Sequence, residues 1–369
     1  MHRSPSARVV LKHGKEKRCC IMAIQKFVVS RDDSIYEAFP DLIQTNSGKL
    51  ICVFIECINH ENRNNNRIVI RESLDRGRTW SEKKPLTETC DHANSFDCPR
   101  ISKMRDGSLA IICNRINAGS GQLYVWRADP EGEHWSEPSI CPFEGHVPDK
   151  LLELKNGRWI IAAQTADGSQ LEQYLWYSDD QGKTWSDRVT VAADKRYQLC
   201  EVSILECDDN TLVAFLREDS CEGYDMLKVI SYDNGETWSE IYNLPLDAGL
   251  RPVAGFLNDG ETVMVTYRYK PCCYYHCATN VFAAFLRKED LLKVWRQEHD
   301  VRIMPLDYDR NVIPDLGYTG WTQFADGEIY VVCYIMDDAD KAQIRGYSFY
   351  PEDVVLPENK ISGVDTSGM

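Results

Sequence analysis

The stretch Ser73-Leu74-Asp75-Arg76-Gly77-Arg78-Thr79-Trp80 is the first of three copies of one eight-residue pattern in this chain. The pattern reads S-x-D-x-G-x-T-W and recurs at residues 178–185 and 231–238. Its Asp can accept hydrogen bonds from nearby backbone N–H groups, and its Gly can supply the positive φ of a tight hairpin turn. Its Trp offers a large face for packing against a neighbouring repeat. Three matches in one chain therefore indicate a repeated hairpin unit.

A longer repeat surrounds these hairpins. Each unit has a short segment around a Pro or its equivalent, an apolar strand, a tight turn and a second apolar strand. Six such units, each of roughly 50–60 residues, begin at residues 36–40, 96–100, 145–149, 199–203, 249–253 and 316–320. Alternating apolar residues and Asp-Gly or Asn-Gly turns favour strands over helices. The sequence therefore predicts an all-β fold, a six-bladed β-propeller of four-stranded antiparallel blades.

The last unit is too short to complete a blade by itself. Few residues follow Tyr347, so its outer strand has to come from elsewhere in the chain. Residues 25–30 (Q-K-F-V-V-S) precede the first unit and read as a short strand. We predict that they supply this outer strand and close the ring. The predicted propeller domain spans residues 23–355, between a basic segment 1–22, expected to be disordered, and a flexible tail 356–369.

Composition limits the possible partners. Hydrophobic residues make up 43% of the 369 residues, which is enough for a large core. The formal net charge of −15 argues against nucleic acid or an anionic membrane surface as a partner. No apolar stretch approaches the ~18 residues that a membrane span needs. We therefore predict no nucleic-acid partner and no membrane partner, and the oligomeric state stays open.

Fifteen cysteines do not resemble a disulfide framework. Cys52, Cys113 and Cys333 lie inside apolar strand-like runs, where a thiol behaves as a small hydrophobe, and the odd count disfavours complete pairing. Residues 1–22 lack the apolar core of a secretory signal, so we predict a reducing, cytoplasmic location. The cluster at 272–277 (C-C-Y-Y-H-C) lacks a second ligand group at zinc-like spacing. We predict an ordinary loop there, with no metal site and no cofactor.

The innermost strands of a propeller converge on one axis, so residues at the starts of these strands face a shared pocket. Aligning the six units places one residue of each at the mouth: Glu37, Asp97, His146, Glu201, Arg251 and Tyr318. The partner strands add Glu56, Arg115, Gln164, Arg217, Arg268 and Tyr334. Burying ionisable groups is costly unless they pair or bind a ligand. Salt bridges between blades would explain any one of them, whereas the complete ring indicates a functional site.

The eight-residue boxes are similar to the Asp-boxes of sialidases, and the chain resembles the sialidase-like (BNR-repeat) propeller superfamily over residues 25–350. Segment 317–327 (G-Y-T-G-W-T-Q-F-A-D-G) resembles the family's nucleophile segment, and Glu201 with Arg217 resembles its Glu-x15-Arg pair. The resemblance implies a Tyr nucleophile paired with a Glu, an Asp acid/base and three Arg residues that clamp the sialic acid carboxylate. Tyr318 is then the nucleophile and Glu201 its base, which a phenol of ordinary pKa near ~10 requires.

Other parts of the family pattern are missing. Ala38 stands where the F-R-I-P motif has its clamp Arg, and residues 64–67 (N-N-N-R) stand where the acid/base Asp is expected. The third clamp Arg has no clear counterpart, which leaves Arg251 and Arg268 as substitutes. Glu37 would repel a sialate carboxylate and would suit sugar hydroxyls better. We therefore expect that the sialic acid clamp is not retained.

The leading prediction is an exo-acting glycoside hydrolase that removes a terminal sugar, other than ordinary sialic acid, from an oligosaccharide or glycoside. Tyr318 and Glu201 would be the nucleophile and its base, with Asp97 or Glu37 as the acid. The predicted substrate-binding residues include Trp321, which would stack on the apolar face of the sugar. The others are Arg217, Arg251, Arg268, Arg100, Arg115 and Asp149.

Three alternatives stay open at this point. In an inverting hydrolase, Tyr318 would only donate a hydrogen bond, and two carboxylates would act. The candidate carboxylates are Asp97, Asp149, Glu37 and Glu201. In a lyase, His146, followed by Asp149 and Lys150, would abstract a proton beside a uronate carboxylate held by Arg. The third alternative is a carbohydrate-binding propeller without catalytic activity, because Asp-boxes say nothing about catalysis.

Overall fold

The computed structural model describes residues 24–117, 120–167, 169–272 and 277–354. Within them, 24 strands form six four-stranded antiparallel sheets, which confirms the predicted all-β, six-bladed propeller. The predicted disordered segment 1–22, the tail 356–369 and residues 273–276 of the Cys/His cluster lie outside the described residues. No helix in the described part of the chain is long and apolar enough to cross a membrane.

Strand β1 (Gln25–Ser30) belongs to the last blade, and the first three blades follow in chain order from the axis outwards. Blade one consists of β2 (Tyr36–Gln44), β3 (Leu50–Cys57), β4 (Arg67–Ser73) and β5 (Lys84–Pro85). Blade two consists of β6 (Phe96–Lys103), β7 (Leu109–Asn117), β8 (Ser120–Ala128) and β9 (Ser139–Glu144). Blade three consists of β10 (Leu152–Glu153), β11 (Trp159–Asp167), β12 (Gln170–Ser178) and β13 (Val189–Ala192).

The last three blades have the same order. Blade four consists of β14 (Leu199–Asp208), β15 (Thr211–Glu218), β16 (Asp225–Ser231) and β17 (Tyr242–Asp247). Blade five consists of β18 (Gly249–Phe256), β19 (Thr262–Tyr269), β20 (Asn280–Arg287) and β21 (Arg302–Tyr308). Blade six consists of β22 (Leu316–Gln323), β23 (Ile329–Ile335), β24 (Gln343–Phe349) and β1. The short helices are three 3₁₀ turns, His92–Asn94, Lys288–Leu292 and Arg296–Glu298, and α1 (Pro351–Val354).

The second strand of a blade is buried on both faces where adjacent sheets pack together. β3 and β23 are buried along their whole length. Their sequences, L-I-C-V-F-I-E-C and I-Y-V-V-C-Y-I, are therefore nearly continuous apolar runs. Cys52 and Cys333 lie within these runs as buried free thiols, as their apolar surroundings predict. Cys221, in contrast, is disulfide-bonded.

The first Asp-box is the hairpin between β4 and β5, and it also joins two blades. The carboxylate of Asp75 accepts a hydrogen bond from the backbone N–H of Thr79 at 2.8 Å, and Gly77 has a φ of 80°. The same Asp-to-Thr contact recurs in the other two boxes. Tyr330 of blade six donates its hydroxyl to the carbonyl of Gly77 at 2.8 Å. Trp80 packs on that tyrosine, as predicted, with ring centroids 6.3 Å apart.

β1 closes the ring, as predicted from the short last unit. It pairs antiparallel with β24, so that Phe27 lies opposite Gly346. Lys26 also forms an ion pair with Asp307 of blade five at 2.5 Å. Val29 is 1% exposed and packs in the core that includes blade one, whereas the preceding residue of the strand faces solvent.

We predict that Val29→Asp lowers the free energy of unfolding by about 3 kcal/mol or more, because it buries an unpaired carboxylate in the closing strand. Val28, which is 59% exposed, provides the matched control. Val28→Asp is expected to change the free energy by less than about 0.5 kcal/mol. Urea unfolding measures both variants. Equal effects of the two substitutions would contradict the closing role of β1.

Candidate active site

A β-bulge near the start of the innermost strand directs one side chain of most blades towards the axis. The bulged residue has a left-handed φ of 57° at Phe39, 55° at Cys98, 50° at Arg251 and 49° at Tyr318. Val147, just ahead of β10, has the same conformation with a φ of 49°. Such a φ is uncommon outside glycine, and a bulge changes the direction of the side chain it carries. The axial residue is therefore set by the bulge.

This bulge corrects the alignment drawn from the sequence. That alignment placed Glu37, Asp97 and His146 on the axis, but the axial positions of those blades belong to the residues immediately before Pro40, Pro99 and Pro148. A bulge puts two residues opposite one, so an alignment that does not include it is wrong by one or two positions. Blade four has its own register shift between Leu199 and Val202, at Glu201.

Tyr318 and Glu201 meet across the axis, from blade six and blade four. The Tyr318 hydroxyl donates a hydrogen bond to Glu201 Oε1 at 2.5 Å, and both residues are buried. Arg217 approaches Glu201 from the neighbouring strand, with its Nη1 at 2.7 Å and 2.9 Å from the two carboxylate oxygens. Its Nη2 donates to Asp219 at 2.6 Å. The structure thus brings together the three residues that the Glu-x15-Arg pair and the nucleophile segment indicated.

Two further arginines surround the phenol. The guanidinium carbon of Arg251 lies 4.9 Å from the centre of the Tyr318 ring, and that of Arg268 lies 5.8 Å from it. Burial would raise the pKa of Glu201, but the charges of these arginines and of Arg217 lower it to about 2. Burial and the Glu201 charge raise the pKa of Tyr318 well above its ordinary value, against the opposing effect of the arginines. At neutral pH the pair is therefore a phenol and a carboxylate.

The arginines hold hydrogen-bond donors that the described residues leave unused. Arg251 is 1% exposed, yet its Nε and Nη1 are buried without a partner among the described residues. The same holds for the Nε atoms of Arg217 and Arg268. A buried donor without an acceptor destabilises the fold by about 1–3 kcal/mol. Such a cluster around Tyr318 therefore suits a ligand rich in hydrogen-bond acceptors.

An aromatic wall and a second carboxylate network lie beside Tyr318, and the sequence argument missed both. The centre of the Phe39 ring lies 4.7 Å from the centre of the Tyr318 ring and 5.5 Å from that of the His60 ring. Asp315 accepts hydrogen bonds from Tyr36 at 2.6 Å and Tyr334 at 2.9 Å, and lies 3.0 Å from His60 Nδ1. The position of Asp315, three residues before Tyr318, was the one signal in the sequence.

The predicted acid candidates are both held by cations. Asp97 forms an ion pair with Arg63 at 2.8 Å, and that guanidinium also covers the Phe39 ring at 4.8 Å. Glu37 is fully buried on the face of blade one that meets β1, where Ser30 and Lys83 each donate to it at 2.7 Å. Burial raises the pKa of Glu37, and the hydrogen bond from the lysine opposes that rise.

Glu37 is therefore part of a contact between blades, and no described contact joins it to Tyr318. Glu56 lies opposite Glu37 in the sheet and binds the same Lys83 together with Arg67. Because Lys83 balances the charge of Glu37, this carboxylate does not add the negative charge beside the arginines that was expected from the sequence. The electrostatic objection to an acidic sugar no longer applies.

Three other predicted residues make structural contacts away from Tyr318. The backbone of His146 pairs with Gln164, and its ring packs near Gly121 of blade two. Arg115 Nε donates to the Asn94 carbonyl at 2.9 Å. Trp321 donates its indole N–H to a carbonyl of blade five at 3.2 Å, and its ring packs beside Gly255 and against the core that blades five and six share. No described contact joins any of these three to Tyr318 or Glu201.

Arg100 and Asp149 lie two residues beyond the bulges, farther along the strands. Arg100 Nη1 donates to the Thr319 carbonyl at 3.0 Å, and its Nε lies 3.5 Å from Asp41. Lys150 approaches the same aspartate at 3.2 Å, and Asp149 accepts from the backbone N–H of blade four at 2.8 Å. This buried cluster ties innermost strands together. Within the described residues, no group of three or more His, Cys, Asp or Glu is arranged to hold a metal.

The six-bladed fold and its Asp-boxes together define a sialidase-like propeller with BNR repeats. A family model described as a BNR repeat-like domain matches residues 118–331. This match covers more than half of the 369 residues, and the chain belongs to that family. No curated protein matches the sequence significantly.

Solved structures share the fold. A protein of unknown function from Dyadobacter fermentans has a TM-score of 0.74 at 20% identity, over 89% of this chain and 99% of that one. A mutant of the NanB sialidase from Streptococcus pneumoniae has a TM-score of 0.63 at 13% identity, over 86% and 69%. The α-L-arabinofuranosidase Arb93A from Fusarium graminearum has a TM-score of 0.61 at 12% identity, over 89% and 98%. At these identities the likeness concerns the fold.

We predict that Glu201→Gln lowers the free energy of unfolding at pH 7 by about 3 kcal/mol, because it leaves buried arginines without their central anion. The penalty is expected to shrink in acid. The pKa of Glu201 in the folded protein, about 2, lies below the ordinary value near ~4.3. Stabilisation by its charge is therefore fully present above pH ~4.3 and is lost as the pH falls towards 2.

Unfolding of wild type and variant at pH 7 and pH 3 measures this difference. Glu240→Gln, at an exposed glutamate, is the matched control and is expected to change little at either pH. A penalty for Glu201→Gln that stays constant between the two pH values would show that the pKa of Glu201 is not depressed.

Proposed function

We propose that this protein is an exo-acting glycoside hydrolase that removes a terminal sugar through a tyrosine nucleophile. The observation that carries the proposal is the 2.5 Å hydrogen bond from Tyr318 to Glu201, buried on the propeller axis. Glu201 is ionised at neutral pH and can take the phenol proton as Tyr318 attacks. The glycosidase activities named for two proteins of the same fold, a sialidase and an arabinofuranosidase, support a carbohydrate substrate.

The reaction has two displacement steps. In the first, Tyr318 Oη forms a bond to the anomeric carbon, its proton passes to Glu201, and the bond to the leaving sugar oxygen breaks. In the second, water attacks the anomeric carbon, and the tyrosine leaves and recovers its proton from Glu201. Arg251 and Arg268 stabilise negative charge that develops on the phenol oxygen, since they surround the ring. A further group has to protonate the leaving oxygen.

The charge of the pocket favours an acidic sugar. Three guanidinium groups and one carboxylate surround Tyr318, and several of the guanidinium N–H groups have no acceptor among the described residues. A carboxylate on the terminal sugar would accept these hydrogen bonds and balance the excess charge. Ala38 leaves the family's clamp incomplete, so we propose an acidic sugar that is held differently from ordinary sialic acid.

The alternatives have less support from the geometry. Among the carboxylates considered for an inverting reaction, Glu201 is the one that contacts Tyr318, while Asp97 and Asp149 are engaged elsewhere. The lyase hypothesis needs His146 at the axis, but its ring packs against blade two. A carbohydrate-binding propeller would keep its affinity without Tyr318 and would show no turnover.

We predict that Tyr318→Phe lowers kcat on any cleaved glycoside by at least about 10³-fold, because the nucleophilic oxygen is lost. A panel of aryl glycosides of acidic and neutral sugars measures this, with release of the aryl alcohol as the readout. Tyr232→Phe, at an exposed tyrosine, is the matched control and is expected to keep full activity. A fluorinated glycosyl fluoride is expected to leave a covalent adduct on Tyr318 that mass spectrometry locates.

Two results would contradict this function. Unchanged turnover by Tyr318→Phe would exclude the tyrosine nucleophile. A product that absorbs in the near ultraviolet, lost in His146→Ala and retained in Tyr318→Phe, would establish elimination instead.

We predict that Arg268→Gln lowers kcat/KM for acidic glycosides by about 10–100-fold, because a charge-assisted hydrogen bond contributes about 1.5–3 kcal/mol. Neutral glycosides with the same leaving group are expected to change by a few-fold at most. Arg302→Gln, at an exposed arginine of β21, is the matched control. If both classes of glycoside lost the same factor, the preference for an acidic sugar would be wrong.

A further inference from the structure

We propose that His60, oriented by Asp315, is the acid that protonates the leaving sugar oxygen; this inference rests on the proposed function. His60 lies on the loop between β3 and β4, at the same end of the propeller as the starts of the innermost strands. Neither residue belongs to the repeat pattern, and the segment resembling the family's acid/base position, residues 64–67, holds no Asp. The structure offers a histidine on that same loop.

Asp315 fixes the imidazole in the orientation that an acid needs. His60 Nδ1 lies 3.0 Å from Asp315 Oδ2, so the N–H at Nδ1 can donate to the carboxylate. The Tyr36 hydroxyl lies 3.0 Å from the same nitrogen and donates to the same carboxylate. Burial raises the pKa of Asp315, but hydrogen bonds from His60 and the two tyrosines lower it to about 2. Asp315 is thus an anion that can accept the hydrogen bond from the imidazole.

The other ring nitrogen is available to the substrate. No described residue hydrogen-bonds to His60 Nε2, and the side chain is 46% exposed, so solvent and ligand can reach it. With Nδ1 engaged by Asp315, a proton on Nε2 is the one that can be transferred. This is the arrangement in which a carboxylate orients a histidine whose far nitrogen exchanges the proton.

One aromatic ring, that of Phe39, lies between His60 and the nucleophile. The His60 ring meets the Phe39 ring edge-on at 5.5 Å, and the same Phe39 ring contacts Tyr318 at 4.7 Å. Tyr318 is 8% exposed, whereas the side chain of His60 is 46% exposed, so His60 lies on the solvent side of Tyr318. The leaving group of an exo-acting enzyme points out of the pocket. A donor on the solvent side of Tyr318 therefore lies where the leaving oxygen emerges.

Among the described residues, the cations near His60 bind carbonyl groups of its loop and make no hydrogen bond to Nε2 of the imidazole. Arg63 Nε donates to the His60 carbonyl at 2.7 Å, and Lys341 Nζ donates to the Ile58 carbonyl at 2.9 Å. Asp315 and the Tyr36 hydroxyl face the ring itself. Asp97 is a weaker candidate for the acid because it is occupied by its ion pair with Arg63.

The proton balance of the two steps is complete with His60. As Tyr318 Oη bonds to the anomeric carbon and passes its proton to Glu201, His60 Nε2 gives its proton to the leaving oxygen. The neutral imidazole that remains keeps its proton on Nδ1, where it is hydrogen-bonded to Asp315. In the second step Nε2 takes a proton from the attacking water, while Tyr318 leaves and recovers its own from Glu201. Both groups return to their starting states.

The experiment compares two leaving groups on the same sugar, using the aryl glycoside that the wild-type protein cleaves. His60→Asn keeps a hydrogen-bond donor for Asp315 but cannot transfer a proton. We expect a loss of about 10²–10³-fold in kcat/KM for an alkyl glycoside, which needs an acid, and less than about 5-fold for the 2,4-dinitrophenyl glycoside, which does not. His134→Gln, at a histidine whose side chain is 91% exposed, is the matched control.

Each outcome is decisive. Equal losses on the two substrates, or no loss on either, would overturn the role of His60 while leaving the tyrosine nucleophile intact. If Asp97→Asn instead produced the loss specific to the alkyl glycoside, Asp97 would be the acid. Wild-type protein that cleaves no glycoside of the panel would overturn the proposed function and this inference together.

Asp315→Asn tests the positioning residue with the same two leaving groups. Without the carboxylate that orients the imidazole, kcat/KM for the alkyl glycoside is expected to fall by about 10-fold or more, while kcat/KM for the 2,4-dinitrophenyl glycoside is expected to change by less than about 5-fold. Because Asp315 also binds Tyr36 and Tyr334, thermal unfolding is measured for each variant. A folded Asp315→Asn protein with unchanged kcat/KM for the alkyl glycoside, or with equal losses on both substrates, would overturn the orientation by Asp315.

Discussion

The bulge at the start of the innermost strands is the constraint on which the central pocket depends. A regular strand would alternate its side chains between the two neighbouring blades, and none would point along the sheet towards the axis. The extra residue breaks this alternation at Phe39, Cys98, Arg251 and Tyr318 and leaves the rest of each strand paired. The left-handed backbone at these positions destabilises the fold locally, and the surrounding sheets compensate for it. The pocket is thus built from strained backbone in a rigid frame.

One carboxylate, that of Glu201, interacts with the charges of three arginines around Tyr318. The protein as a whole carries a formal charge of −15, yet the groups around Tyr318 are mainly cationic. Glu201 holds Arg217 through two oxygens and still accepts the hydroxyl of Tyr318. Buried donors of Arg251 and Arg268 have no acceptors among the described residues. A bound anion would accept hydrogen bonds from these buried donors. It would therefore stabilise the folded protein as well as occupy the site.

Features that arise from neighbouring residues could be predicted from the sequence, whereas most contacts between distant residues could not. The Asp-boxes and the unit length predicted the blades, and the short last unit predicted the pairing of β1 with β24, because hairpins and strand patterns are local. The pair of Tyr318 and Glu201 was implied by the resemblance of two segments to motifs of the sialidase-like family. Aligning the six units misplaced Glu37 and His146, because the apolar pattern of a strand does not reveal a bulge. The meeting of His60 with Asp315 joins residues 255 positions apart, and no local pattern announces it.

The closing strand also decides when the molecule can be finished during synthesis. β1 is made before the other strands of the ring, but its partner β24 is made more than 300 residues later, a delay of roughly 15–60 s at 5–20 residues per second. Until then five blades can assemble in order while the sixth lacks its outer strand. Contacts this distant in the chain form slowly. The pairing of β1 with β24 is therefore the last step in closing the ring.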